Sequence, residues 1–185
     1  MEFNKLNQVR QSCRNFKKCS LTNEEILKVI EVASLTPSAK NVQPWRVKVI
    51  KDYQFDEVCS CFQEGGRNKF LNNAGALLVI YESSHSMEVN KRPHIDFGNS
   101  DIGAYAYALT LAAKDQGLDS IIIGYIDAEK LGNLINVKKE SIRLMVALGK
   151  ASEDDILRKK NRLSIDEVVS FHELKLKLSR AINSR

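Results

Sequence analysis

The sequence predicts an α+β sandwich, and three observations carry that expectation. Helical and strand periodicities are mixed along the chain without the strict alternation of a doubly wound fold. No G-x-G-x-x-G follows a candidate strand, so a Rossmann dinucleotide unit is not expected. The run at residues 74–81 is apolar at nearly every position, as in a central strand covered on both faces.

Thr22 and Glu25 have the spacing of a capping box, in which the hydroxyl accepts from the third helical amide and the carboxylate reaches back. Ile26, Val29, Ile30 and Ala33 recur at helical spacing after it. The helix is expected to end near Leu35, because Pro37 pushes the residue before it out of the α region. Trp45, Val47 and Val49 alternate with Arg46, Lys48 and Ile50, the mostly two-residue period of a strand. Polar residues 83–99, with Pro93 among them, read as a loop. A helix then follows through Ile102, Tyr105, Ala106, Leu109, Ala112 and Ala113 to a cap at Gly117, and its small residues leave room for another helix. Strands are expected at 120–124 and 142–148, with a short helix between them capped by Asp127, and a last helix over 165–182.

A length of 185 residues suits one domain over residues 1–185. The chain is 43% hydrophobic and 28% charged, near the averages for globular proteins, so a disordered or fibrous class is excluded. No apolar run approaches the roughly 18 residues of a membrane span. The first five residues lack the apolar stretch of a secretory signal, so a cytoplasmic location is expected. Cys59 and Cys61 are too close for a Cys-x-x-Cys half-site, and Cys13 and Cys19 too far apart, so no metal site is expected. The net charge is +5, with much of the basic excess after Lys150. Aromatic residues, at 7%, do not interleave with it, so nucleic acid is not an expected partner.

Three polar segments stand out. In Arg10-Gln11-Ser12-Cys13-Arg14, two guanidinium groups four residues apart would share a helix face or its end, and such forks match phosphate oxygens. An ordinary exposed helix has the same composition. Between Pro37 and Pro44, Ser38, Asn41 and Gln43 supply hydrogen-bonding groups to a rigid loop, which suits either a polar ligand or the loop's own backbone. Arg158-Lys159-Lys160-Asn161-Arg162 is a solvated charge run or a second phosphate element. His85, His94 and His172 have no paired carboxylate at useful spacing, and none is assigned a catalytic role.

Taken together, these segments resemble the nitroreductase family. Arg10-Gln11-Ser12-Cys13-Arg14 is similar to its R-x-S-x-R opening. Pro37 to Trp45 is similar to its P-S-x-x-N-x-Q-P-W loop. Asp101-Ile102-Gly103-Ala104, Gly117-Leu118 and Lys160-Asn161-Arg162 follow in the family's order. The resemblance spans most of the chain. It implies a three-layer sandwich with a mixed, mostly antiparallel sheet, formed as a domain-swapped homodimer with FMN at the interface.

On that resemblance, Arg10, Ser12, Lys160 and Arg162 hold the FMN phosphate, with Gln11 and Arg14 near the ribityl chain or ring. Arg14 would stabilise the reduced flavin. Pro37, Ser38 and Asn41 reach the flavin from the partner subunit, and a backbone amide at Ile123, Gly124 or Tyr125 faces the reactive ring nitrogen. The implied activity is a ping-pong reductase in which NAD(P)H reduces FMN and a nitroaromatic or quinone reoxidises it. A flavin storage or sensor protein and a flavoenzyme dedicated to one metabolite are the rival readings. Three features depart from the family pattern. Gln11 stands where many members have a second basic residue. Only Arg67, Asn68 and Lys69 lie in the region of the pyrimidine-edge contacts. The stretch between Tyr81 and Asp101 is short for the helical excursion that shapes the substrate pocket of larger relatives.

Overall fold

Apolar side chains on both faces of one sheet organise the protein into layers. The computed structural model describes residues 2–89, 91–92 and 95–172. In chain order the elements are α1 (Phe3–Val9), β1 (Phe16–Lys17), α2 (Asn23–Ala33), β2 (Trp45–Ile50), α3 (Phe55–Ser60), β3 (Ala76–Glu82), α4 (Ser84–Val89), β4 (Lys91–Arg92), β5 (Ile95–Asp96), α5 (Phe97–Asp115), β6 (Asp119–Ile123), α6 (Ala128–Ile135), β7 (Ile142–Ala151) and α7 (Ile165–Val168). β7 lies at the centre of the main sheet and pairs antiparallel with β3, β6 and, at its C-terminal end, β1. β2 pairs with the outer side of β3. An isolated bridge from Ser12 to Ser120 adds a parallel contact.

β3 is fully buried from Ala76 to Ile80, as its unbroken apolar run predicts. Its alternate residues feed two cores. Ala76, Leu78 and Ile80 join Val146 and Leu148 of β7 under α2 and α5. Leu77 and Val79 join Met145 and Ala147 under α3 and α6, against Val58, Phe62, Leu131 and Ile135. The result is a three-layer α+β sandwich with a mostly antiparallel sheet.

Local sequence determines several boundaries. The Thr22 hydroxyl accepts from the Glu25 amide at 3.1 Å, and the Glu25 carboxylate accepts from the Thr22 amide at 2.8 Å, completing the predicted capping box. The Asp127 carboxylate caps α6 by accepting from the Lys130 amide. Gly117 takes φ 76°, the left-handed conformation that ends α5 without a Cβ penalty. α2 packs against α5, where Ala106, Ala112 and Ala113 are buried, whereas Gly103 and Ala104 face outward.

Two expectations are corrected. Residues 83–99 are not one loop: α4 and the β4–β5 hairpin lie there, and α5 begins at Phe97 under a cap from the Asp96 side chain. These pieces have too few residues to show a period in the sequence. Of the helix expected over 165–182, the described residues form Ile165–Val168, capped by Ser164 and Glu167, and leave it at residues 169–172; its portion from residue 173 lies outside the described residues, as does His94.

Beneath α4, Glu82 is only 3% exposed and pairs with Arg143 of β7, 22% exposed. Arg143 Nε donates to Glu82 Oε2 at 3.1 Å and Nη1 to the Glu140 carbonyl at 2.7 Å. The Ser86 hydroxyl donates to Glu82 Oε1 at 2.7 Å. A Cβ at residue 98 would stand 2.3 Å from Glu82 Oε1, so only glycine lets α5 approach this carboxylate.

Candidate functional site

α1 ends at Arg10, whose backbone turns extended (ψ 129°), and residues 11–14 run beside the start of β6. The Cys13 amide donates to the Ser120 carbonyl at 3.0 Å. Arg10 and Arg14 therefore do not share a helix face, as their spacing had suggested. Arg10 sits at the helix end and Arg14 is exposed in the extended segment. Burial in this core pushes the Cys13 thiol up to about 12, and that of Cys59 likewise, so both are unreactive at neutral pH.

The basic segment after β7 lies directly against residues 10–12. Lys160 Nζ donates to the Arg10 carbonyl at 2.5 Å, and Arg158 Nη2 donates to the Ser12 carbonyl at 2.5 Å. Arg158 Nη1 also binds Asp155 Oδ1 at 2.7 Å. The Lys160 ammonium is held below the usual lysine range, first by burial and then by the charges of Arg10, Arg162 and Arg158. Four cations from opposite ends of the chain thus converge, and Asp155 is engaged by Arg158. Arg10 Nε is buried without a hydrogen-bond partner among the described residues, and its guanidinium lies 5.7 Å from the centre of the Tyr107 ring. A buried donor inside a repelling cationic cluster can hold a dianion such as a phosphomonoester. Arg162 is exposed, donating to the Asn161 carbonyl.

Gln11 is placed differently from its flanking residues. Its Nε2 donates to the carbonyls of Asp155 and Ile156, each at 3.1 Å, and to Asp155 Oδ2 at 3.3 Å. Its Oε1 accepts from the Arg158 amide at 3.0 Å. The whole carboxamide is taken up by the 155–158 segment.

The loop before β2 makes a separate set of contacts. Lys40, Asn41 and Gln43 all have positive φ, at 52°, 55° and 48°, an unfavourable backbone for residues other than glycine. Three ties hold it. The Ser38 hydroxyl accepts from the Gln43 amide at 2.9 Å, the Asp101 carboxylate of α5 accepts from the Ala39 amide at 3.0 Å, and Gln43 Nε2 donates to Asn41 Oδ1 at 3.2 Å. Pro44 is buried, and Trp45 stacks on Tyr105 with ring centres 4.6 Å apart and planes 5° from parallel. Pro37 and Asn41 remain exposed. Such a loop is preorganised to present polar groups outward.

At the far end of β6, Ile123 is buried, and a Cβ on Gly124 would meet nothing within 4 Å, which leaves its backbone open to a flat ligand. Tyr125 is bracketed by Glu64, which accepts from its hydroxyl, and by the Arg67 guanidinium 5.0 Å from its ring centre. The ties made by Asp155, Tyr107 and Asp101 were not foreseen as part of the site. The signal for Asp155 was an acid just ahead of a basic run, and for Tyr107 a large ring among the small residues of α5.

A helix–sheet–helix sandwich with a cluster of cations beside the start of β6 and an exposed glycine just past its end is an α+β fold with a candidate anion site. The chain belongs to the nitroreductase family, whose sequence model matches residues 8–64 and 53–150. A provisionally named NADH dehydrogenase/NAD(P)H nitroreductase of Archaeoglobus fulgidus is 27% identical over 171 residues, covering 89% of this chain and 94% of that protein. The iodotyrosine deiodinase of Thermotoga neapolitana is 25% identical over 169 residues, covering 79% and 86%. Among solved structures, a nitroreductase family protein from Streptococcus pneumoniae superposes with a TM-score of 0.80 at 20% identity, covering 92% of this chain and 100% of that one. The FMN-dependent nitroreductase NfnB of Mycobacterium smegmatis, solved with NADPH, gives 0.77 at 16% identity, covering 92% and 97%.

Proposed function

We propose that this protein is an NAD(P)H-dependent FMN oxidoreductase, a homodimer of single-domain subunits that reduces a small acceptor such as a nitroaromatic or quinone. The observation that carries the reading is the cationic cluster around Arg10 Nε, which has no hydrogen-bond partner among the described residues, and the cluster falls on residues whose motifs resemble the family's phosphate elements. Arg10, Lys160 and Arg162 hold the phosphate, with Ser12 beside them. β6 leads from that pocket to Gly124, about 13 Å on from Ser120 at the rise of a strand, where the open backbone receives the ring. The exposed face of the Pro37–Trp45 loop, with Ser38 and Asn41, serves the flavin held by the other subunit.

FMN held by these residues would supply the redox chemistry, hydride transfer between a nicotinamide and the acceptor. The protein's part is to fix the phosphate, present a backbone amide at residues 123–125 to the ring and exclude water with the preorganised loop. Arg14, exposed beyond the cluster, stabilises negative charge on the reduced ring. Relatives named as nitroreductase and as deiodinase are equally distant, so overall similarity does not select the acceptor.

Anaerobic mixing of the flavin-loaded protein with NADH or NADPH is expected to bleach the flavin absorption within seconds. A colourless protein that takes up no added FMN would sink the reading, and a bound flavin that stays oxidised for minutes with both nicotinamides would make it a storage protein. Arg10→Ala and Arg162→Ala should each weaken FMN by about 1.5–3 kcal/mol, as for hydrogen bonds to charged groups. Riboflavin, which lacks the phosphate, should be unaffected.

Lys160 makes this affinity pH-dependent. Its lowered pKa in the free protein rises when a dianion neutralises the cluster, so binding takes up a proton in the alkaline range. FMN affinity should be flat near neutrality and fall as pH rises toward the ordinary lysine value of about 10.4, with the fall starting below it. A Kd series across that range should lose this feature in Lys160→Met. An unchanged slope in the variant would remove Lys160 from the phosphate site.

A further inference from the structure

The β1–β7 ladder ends at the Phe16–Ala151 pair, and the Ser152 amide makes one more backbone bond, to the Asn15 carbonyl at 2.8 Å. Beyond it, residues 153–162 form no strand, yet Lys160 and Arg162 have to meet Arg10. Side chains take over the register there. Gln11 holds the backbone at 155, 156 and 158, Arg158 reaches back to the Ser12 carbonyl, and Lys160 to the Arg10 carbonyl. Of these ties, Gln11 is the one whose donor and acceptor are both satisfied by a single facing segment, so its amide has no hydrogen-bonding capacity directed at the phosphate. The cations it aligns repel one another, so their approach is unfavourable without such a fastening or a bound anion.

We infer that Gln11 is a positioning residue that clasps the 155–158 segment onto residues 10–12 and so sets Lys160 and Arg162 in register with Arg10. The inference rests on the phosphate reading above for its consequence, while the clasp itself is a property of the chain alone. A basic residue at this position would add charge to the pocket. Glutamine instead gives up that charge for a neutral group that both donates and accepts. A carboxylate there would keep the acceptor for the Arg158 amide but face Asp155 and two carbonyls with no donor.

The test compares wild type with Gln11→Met, similar in length without the amide, and with Gln11→Glu. Isothermal titration would measure FMN, riboflavin and inorganic phosphate, and limited trypsinolysis would follow cleavage after Arg158, Lys159, Lys160 and Arg162. Both variants are expected to weaken FMN and inorganic phosphate by a common factor of about ten, the loss of roughly one net hydrogen bond in effect, with riboflavin unchanged. Trypsin should cut 158–162 several-fold faster in both, with an unchanged urea midpoint, and saturating phosphate should restore protection. If FMN affinity falls but phosphate affinity and cleavage do not change, Gln11 touches the flavin directly and the clasp is wrong. No change in binding or cleavage also overturns it. Should the wild type bind neither FMN nor phosphate, the functional reading fails, and the cleavage rates alone decide the clasp.

Discussion

Arg143→Met should destabilise the fold by about 3–5 kcal/mol, the cost of leaving one member of a buried ion pair without its partner. The Glu82 side chain is 3% exposed, so little solvent reaches the carboxylate to replace the lost guanidinium donors. Ser86 remains as a donor to Oε1, but Oε2 loses both of its contacts from Arg143. Movement of α5 toward the carboxylate offers no remedy, because the helix already approaches it as closely as a glycine at 98 permits. The urea midpoint should therefore drop sharply with little change in slope. The double variant Glu82→Met/Arg143→Met should recover most of the loss, since apolar side chains of similar volume often match a buried pair. A single variant that loses under about 1 kcal/mol, the worth of an exposed pair, would show that this pair does not behave as buried.

That pair also marks the limit of what the linear sequence discloses. Glu82 follows an apolar strand and reads as the first residue outside it, and Arg143 reads as an interruption of another strand. Only the antiparallel pairing of β3 with β7 brings them together. Features whose physics is local were legible: the Thr22–Glu25 capping box, the Asp127 cap, the left-handed Gly117 and the unbroken apolar run of β3. α4, with six residues, and the two-residue strands β4 and β5 are shorter than any period can reveal, and a helix of that length is not stable without tertiary support.

The candidate site divides in the same way. The loop residues and both basic elements were visible as motifs, because each is contiguous. The clasp between Gln11 and residues 155–158 spans a sequence separation of about 145 residues and leaves no local pattern. Gln11 was legible as a flavin contact by resemblance and as a missing charge, but not as a clasp on residues 155–158.

Dimerisation and FMN binding should prove to be one equilibrium. Within a single chain the Pro37–Trp45 loop is tied to Asp101 and to Tyr105, whereas the cationic cluster is tied to the end of β7 and to Tyr107. The surface around these parts is also unusually bare. Leu35 is 84% exposed, and Ile156, Leu163, Ile165 and Phe171 along the arm after β7 are all between 67% and 86% exposed. Apolar groups so concentrated on one segment are expected to be covered by another surface, and in the proposed dimer a second copy of the chain would supply both the cover and the loop that completes the site. A ligand that binds only the dimer stabilises it by RT ln(1 + [L]/Kd), about 2.7 kcal/mol per site at a hundredfold excess over Kd. Sedimentation across a dilution series should therefore place the apo dimer's dissociation about 100-fold higher in concentration, per occupied site, than the FMN-loaded dimer's. Mixing provides the sharper test. Arg10→Ala and Asn41→Ala homodimers should each bind FMN weakly. In a mixed dimer with shared sites, however, one site carries both substitutions and the other carries neither. Tight FMN binding should return on mixing the two variants under exchange conditions. If it does not return, or if wild-type monomer binds FMN stoichiometrically, the site is complete within one chain and the loop's partner-subunit role is lost.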